Sequence, residues 1–424
     1  MIKNIHLTNL FEDLSSQKSF FLKIFWGGFI IYTFGYVGKG MPPISMRMGE
    51  VLQLGGLAML VAATIFLFQN RIKNSYLLLL IISYFLWLIF IIIRGFHFDF
   101  TFIMYMILMA NTGMLYYFMP IILFVPKNLQ FYKKLFNIII IFSILNILFT
   151  GLFRHALLER SPDTKDTIEL LAWSLSMPCG FLLLNYKYQP PFNLFFAAGT
   201  LATSLLFAIY NGRRGLSMIL AIMLIAAFLI FLFHTKAKIF TVYLTILFIC
   251  IGSLYATSIY NIGNNKLLNF IAERGDTDTR TGVEVYFYND MGSKDWIIGR
   301  GLDGKYYCPG IDDDVDYRTL IETGFLQIIL KGGLIRLIIM GLIMIPAVFL
   351  GLFSSRNILS KASAVWIMIF IFSLYPATVE SFNLMYMLVW IAVDICYSNK
   401  LRNIPDNTLL AYFYPNKFKD ELIH

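Results

Sequence analysis

Residues 75–93 read SYLLLLIISYFLWLIFIII, nineteen positions without a charge, closed by Arg94 on one side and preceded by Arg71 and Lys73 on the other. A helix needs about 20 mostly apolar residues to cross the hydrocarbon of a bilayer, and this stretch meets that length with basic residues waiting at both borders. The pattern recurs along the chain. Apolar runs of spanning length lie at 20–37, 50–69, 75–93, 100–125, 131–152, 168–186, 192–210, 215–233, 238–259, 333–353, 360–377 and 379–397,. Asn111 and Pro120 interrupt the fourth run, and only the stretch from Pro376 to Val379 parts the last two.

Composition agrees. Of 424 residues 58% are hydrophobic and only 14% charged, and the mean hydropathy is +0.70. These values predict an all-α polytopic membrane protein with about 12 transmembrane helices. The reading divides the chain into a cytoplasmic N-terminus (1–19), helices one to nine (20–259), a large outer loop (260–332), helices ten to twelve (333–397) and a cytoplasmic tail (398–424). Glu12 and Asp13 ahead of the first run, with no small-residue cleavage site after it, make that run an anchor,.

Short loops rich in lysine and arginine stay in the cytoplasm. With the N-terminus inside, Lys18, Arg71, Lys73, Lys127, Lys133, Lys134, Lys187, Lys236, Arg356, Lys361, Lys400 and Arg402 all fall on the inner side, and both termini are cytoplasmic. The formal charge of +9 is therefore accounted for by topology and calls for no nucleic acid,. Cys179, Cys250 and Cys396 fall in apolar runs and Cys308 in the outer loop, so four free thiols are expected, with Cys308 the one open to a membrane-impermeant reagent,.

Function is sought where polar residues depart from this pattern. Arg213 and Arg214 stand between two apolar runs, in Tyr210-Asn211-Gly212-Arg213-Arg214-Gly215. They either snorkel to headgroups or face an outer cavity and hold an anion, since a guanidinium fork matches phosphate oxygens. From Tyr260 to Arg318 the chain turns polar, with Arg280 in Asp278-Thr279-Arg280-Thr281-Gly282, then Trp296 and the turn Gly299-Arg300-Gly301. Next comes Thr319 to Gly333, whose apolar positions 321, 325, 328 and 329 repeat at helical spacing and predict an amphipathic helix on the outer interface leading into helix ten,. Glu322 sits near its start, either as a carboxylate favoured by the helix dipole or as a catalytic group. Asp312-Asp313-Asp314 with Asp316 is either a solvated face or a cation site,.

Taken in this order, Arg213-Arg214-Gly215, Arg280, Trp296, Gly299, Gly301, Glu322 and the Gly332-Gly333 pair resemble the O-antigen polymerase and O-antigen ligase superfamily of bacterial envelope glycosyltransferases. Where ligases of that family carry histidine followed by asparagine, this chain has Glu322-Thr323, which favours the polymerase branch.

The resemblance implies transfer of a glycan from undecaprenyl pyrophosphate to a sugar hydroxyl at the outer face of the inner membrane, metal-independent and inverting, with no cofactor. It implies Arg213, Arg214 and Arg280 on the pyrophosphate, Glu322 and Arg280 as catalytic residues, and Trp296, Gly299, Arg300 and Gly301 as support for the loop and glycan. His97 and His155, in outer loops, are alternative bases. The partners implied are the lipid-linked oligosaccharide, the bilayer and a chain-length regulator protein. A ligase acting on lipid A core or protein, and a flippase for the lipid-linked repeat, are the competing readings; a flippase would be expected to show paired halves and midplane charges.

Overall fold

The structure is a computed structural model and describes residues 15–39, 44–159, 162–234, 281–310 and 316–415. It is 77% helical with very little strand. In chain order the main elements are α1 (Ser16–Gly38), α2 (Met46–Leu67), α3 (Ser75–Ile93), α4 (Phe100–Leu108), a 3-10 helix (Leu115–Phe124), α5 (Leu129–Leu152) and α6 (Pro162–Leu171). A π-helical turn (Ala172–Ser176) joins α6 to α7 (Pro178–Leu184), followed by α8 (Pro191–Tyr210) and α9 (Arg214–His234). Then come α10 (Thr281–Asp290), α11 (Ser293–Ile298), β1 (Tyr306–Tyr307), β2 (Tyr317–Arg318), α12 (Gly324–Phe353), α13 (Ile358–Ser373), α14 (Leu384–Tyr397) and α15 (Asp406–Phe413).

Among the described residues eight helices are long and apolar enough to cross a membrane, and three shorter apolar helices, at 115–124, 358–373 and 384–397, pack with them. The chain is an all-α polytopic membrane protein. The run expected at 238–259 lies outside the described residues. The run 100–125 is not one helix: α4 stops at Leu108, and the stretch around Pro120 winds as a 3-10 helix. A proline has no N–H to donate and its ring crowds the preceding turn, which accounts for the break.

Large side chains on the outer faces of these helices are exposed, among them Ile65, Leu79, Leu86, Ile93 and Phe195, as expected of surfaces that meet acyl chains. Inside, α1 and α2 approach until a Cβ on Gly56 would lie 2.5 Å from Tyr32 N, and one on Gly35 2.6 Å from Gly49 O; small residues permit this contact where lipid offers no hydrophobic drive between helices. Aromatic contacts fix which ends coincide. Phe29 stacks on Phe142, Phe34 meets Phe149, and Phe382 packs on Tyr32. The C-terminal ends of α1 and α5 and the 374–383 segment therefore share one end of the bundle, while Lys127 and Asp394, 3.2 Å apart, mark the other.

A candidate functional site at one end of the bundle

The polar residues 281–310 and 316–323 are built onto that first end through a break in α12. Gly333 has φ 68°, which interrupts the helix and releases carbonyls from its ladder. Buried carbonyls need donors. Arg300 N donates to Leu330 O at 2.7 Å and Gly301 N to Lys331 O at 3.0 Å, and the Trp87 indole donates to Gly332 O at 2.8 Å. Leu302 N continues the series onto Ile91 O, at the end of α3, at 3.1 Å.

The approach excludes side chains at two positions: a Cβ on Gly299 would lie 2.6 Å from Gly333 N, and one on Gly333 2.1 Å from Ile297 O. Both residues also have positive φ, a region where only glycine is at ease. The Gly-x-Gly turn and the glycine pair foreseen in the sequence are thus two halves of one joint.

Arg300 pins this joint from the outside. Its guanidinium pairs with Asp290, its Nε donates to Asp295 Oδ2 at 2.9 Å, and Nη1 donates to Lys305 O at 2.7 Å. Burial alone would lower its pKa, but the hydrogen bonds and charges of Asp290 and Asp295 outweigh burial and raise it,. Trp296 is half-buried, stacked on Tyr288 and edge-on to Phe287. Beneath it Phe287, Met291, Tyr306, Cys308, Ile321, Leu326, Ile329 and Leu330 form a small second core, closed by the β1–β2 hairpin with Tyr306 opposite Arg318.

Two expectations are corrected here. The segment leading into helix ten is not an amphipathic helix on the surface: from Gly324 to Gly333 every residue except Phe325 is buried, because the loop module covers it. Cys308 is fully buried rather than accessible.

Glu322 lies on the rim of this module, immediately before α12, and its side chain is exposed. Both of its chain neighbours are held. The Thr378 hydroxyl donates to Ile321 O at 2.6 Å and is 3.2 Å from Glu322 O; the Thr323 hydroxyl donates to the Glu284 carboxylate; and Ile321 N donates to Gln327 Oε1 at 3.0 Å. His97, 62% exposed at its side chain, faces Asp303 across 3.6 Å at the same end.

A buried ion pair two residues beyond Thr378 was not singled out from the sequence. Arg336, on α12 one turn beyond the break, and Glu380, between α13 and α14, are 1% and 2% exposed and form an ion pair at 2.7 Å. Tyr386 donates a hydrogen bond to the same carboxylate oxygen at 3.0 Å, and the guanidinium lies 4.4 Å over the ring of Tyr117. Arg336 Nε and Nη1 and Glu380 Oε2 are buried without a hydrogen-bond partner. The crevice beside Arg336, lined by Tyr84, Trp87, Leu88, Ile91 and Tyr117, is too narrow for a water molecule. Both residues sit in runs counted as spans, and a charge there is the signal: ionisable groups in apolar helices are rare and costly unless paired.

Arg213 and Arg214 lie on another turn. Arg213 is on the α8–α9 turn, where its guanidinium pairs with Asp166 and reaches Glu169 at 3.2 Å, both on α6. Asn211 beside it is fully buried and donates to Phe207 O at 3.0 Å and Leu157 O at 3.4 Å, so the turn is a fixed structure. Arg214 opens α9. Arg280 and Asp312-Asp313-Asp314 lie outside the described residues. No family model, curated protein or solved structure matches the chain.

Proposed function

We propose that this chain is a glycosyltransferase of the bacterial inner membrane that polymerises lipid-linked oligosaccharide repeats of O-antigen, capsule or exopolysaccharide. The observation that carries the reading is an exposed carboxylate, Glu322, between two anchored neighbours, Ile321 held by Thr378 and Gln327 and Thr323 held by Glu284, at the end of an apolar bundle that can hold a polyprenyl tail. In this reading 238–259 is also a span, the count is twelve, both termini are cytoplasmic and Glu322 faces outward.

Glu322 takes the proton of the acceptor sugar hydroxyl as its oxygen attacks the anomeric carbon. The bond to undecaprenyl pyrophosphate breaks on the opposite face, so the centre inverts. Negative charge grows on the leaving pyrophosphate, where guanidinium groups stabilise it. Arg213, Arg214 and Arg280 supply that charge; Arg213 is also paired with Asp166 and Glu169 and so fixes the turn that presents Arg214. The reaction as drawn uses no metal. Partners are the lipid-linked oligosaccharide, the bilayer and a chain-length regulator protein.

The test is Glu322→Gln, which keeps shape and hydrogen bonding but cannot accept the proton. Loss of a general base costs about 10²–10⁴ in rate. Cells carrying the variant at wild-type level make single repeats and no ladder of longer chains, whereas a full ladder removes Glu322 from the reaction. A ligase defect instead leaves long polymer on its lipid carrier, and a flippase defect traps single repeats on the inner leaflet; either outcome in a null strain replaces the polymerase reading. His97, 3.6 Å from Asp303, is the second candidate base, and loss of the ladder in His97→Ala but not in Glu322→Gln assigns the role to it.

A further inference from the structure

At the opposite end of the bundle the starts of α1, α3 and α5 surround a cavity of about 840 Å³. Among the described residues six basic side chains line it, Lys18, Arg71, Lys73, Lys127, Lys400 and Arg402, against a single carboxylate, Asp394. That carboxylate is already engaged by Lys127, whose side chain is 4% exposed and whose ammonium is 3.2 Å away. Among the described residues the other five cations therefore share a concave space with no further acid in its wall. Walls of low dielectric concentrate such a field.

Backbone dipoles add to it. Ser15, Asn74 and Asn128 precede α1, α3 and α5 and all line the cavity. Each helix leaves several N–H groups unpaired at its start and carries a partial positive charge there. The Asn74 side chain accepts the N–H of Leu77 and that of Asn128 the N–H of Phe131, while the Ser15 side chain does not cap α1. The volume falls in the range of small-molecule sites, roughly 300–1,000 Å³.

We propose that this cavity is a binding site for a phosphate-bearing polyanion, with Arg71, Lys73 and Lys400 as its accessible contacts and the Lys127–Asp394 pair as its floor. Two sources carry that chemistry: an anionic phospholipid headgroup entering between helices, and a soluble diphosphate arriving from water. The inference concerns the end of the bundle away from Glu322 and does not rest on the transferase reading.

The full-length protein is reconstituted in phosphatidylcholine nanodiscs and titrated calorimetrically with inorganic pyrophosphate, and in parallel passed from detergent into native mass spectrometry after incubation with phosphatidylglycerol or cardiolipin. The variant R71Q/K73Q/K400Q removes three charges from side chains that are exposed or half-exposed, and K18Q/K400Q serves as a milder second variant should the triple not fold. Binding of pyrophosphate that falls by about tenfold or more in the variant identifies the soluble source. Retention of the anionic lipid over phosphatidylcholine, weakened to the same degree, identifies the headgroup. Wild-type protein that holds neither above the neutral lipid, or variants that hold either as well as wild type, overturns the proposal.

Discussion

Arg336 and Glu380 are worth most to the protein as a pair, and removing one partner exposes why. Taking a charge out of water is costly, and a buried ion left alone typically costs about 3–5 kcal/mol of stability. Arg336→Met and Glu380→Leu singly are expected to lose about that much in thermal unfolding of the purified protein, while the double variant recovers most of it because neither charge remains. Equal and additive losses would mean that the two side chains contribute independently. Sequence alone did not show this pair. Its members are 44 positions apart, and each was absorbed into a run counted as a membrane span. Arg213 and Arg214 drew attention because they stand together in a turn, yet Arg213 proves to be matched by two acids one helix away. A charged residue declares itself in sequence; its counter-ion does not.

Helices and turns were legible to the extent that local chemistry decides them. The Gly299-Arg300-Gly301 turn and the Gly332-Gly333 helix end were readable from their glycines, three of which (Gly299, Gly301 and Gly333) have the positive φ that glycine tolerates, and the structure joins turn and helix end through Arg300 N and Gly301 N on Leu330 O and Lys331 O. The burial of the segment between was not readable. Residues 324–333 look amphipathic in isolation, and what covers their polar face is the module of residues 281–310, contributed from earlier in the chain. The joint therefore controls access to the second core. Alanine at Gly333 forces a positive φ on a residue with a Cβ, at about 1–3 kcal/mol, and drives that Cβ to 2.1 Å from Ile297 O. Docking should loosen, and Cys308, fully buried in the wild type, is expected to react with a maleimide about five- to a hundredfold faster, since each 1.4 kcal/mol of easier local opening is tenfold. Peptide-resolved mass spectrometry of the purified protein measures it, with Cys179 and Cys396 on the same molecule as buried references. An unchanged rate at Cys308 would show that the glycine joint does not hold the module down.

The whole molecule carries unlike chemistry at its two ends, and its orientation in the membrane decides what each can meet. One end holds Glu322, the Arg300 pin and the buried Arg336–Glu380 pair; the other gathers Lys18, Arg71, Lys73, Lys127, Lys400 and Arg402 around a cavity. The basic residues at the second end lie in short connections, where they govern insertion, whereas those of the 281–323 module belong to a long segment that translocates with little regard to charge. The second end is therefore expected in the cytoplasm. Alkaline phosphatase, active only outside, should be active when fused after Asp303 and inactive when fused after Lys236. The opposite pattern would turn Glu322 toward the cytoplasm, away from a glycan displayed on the outer leaflet, and with it the proposed polymerase would lose its substrate.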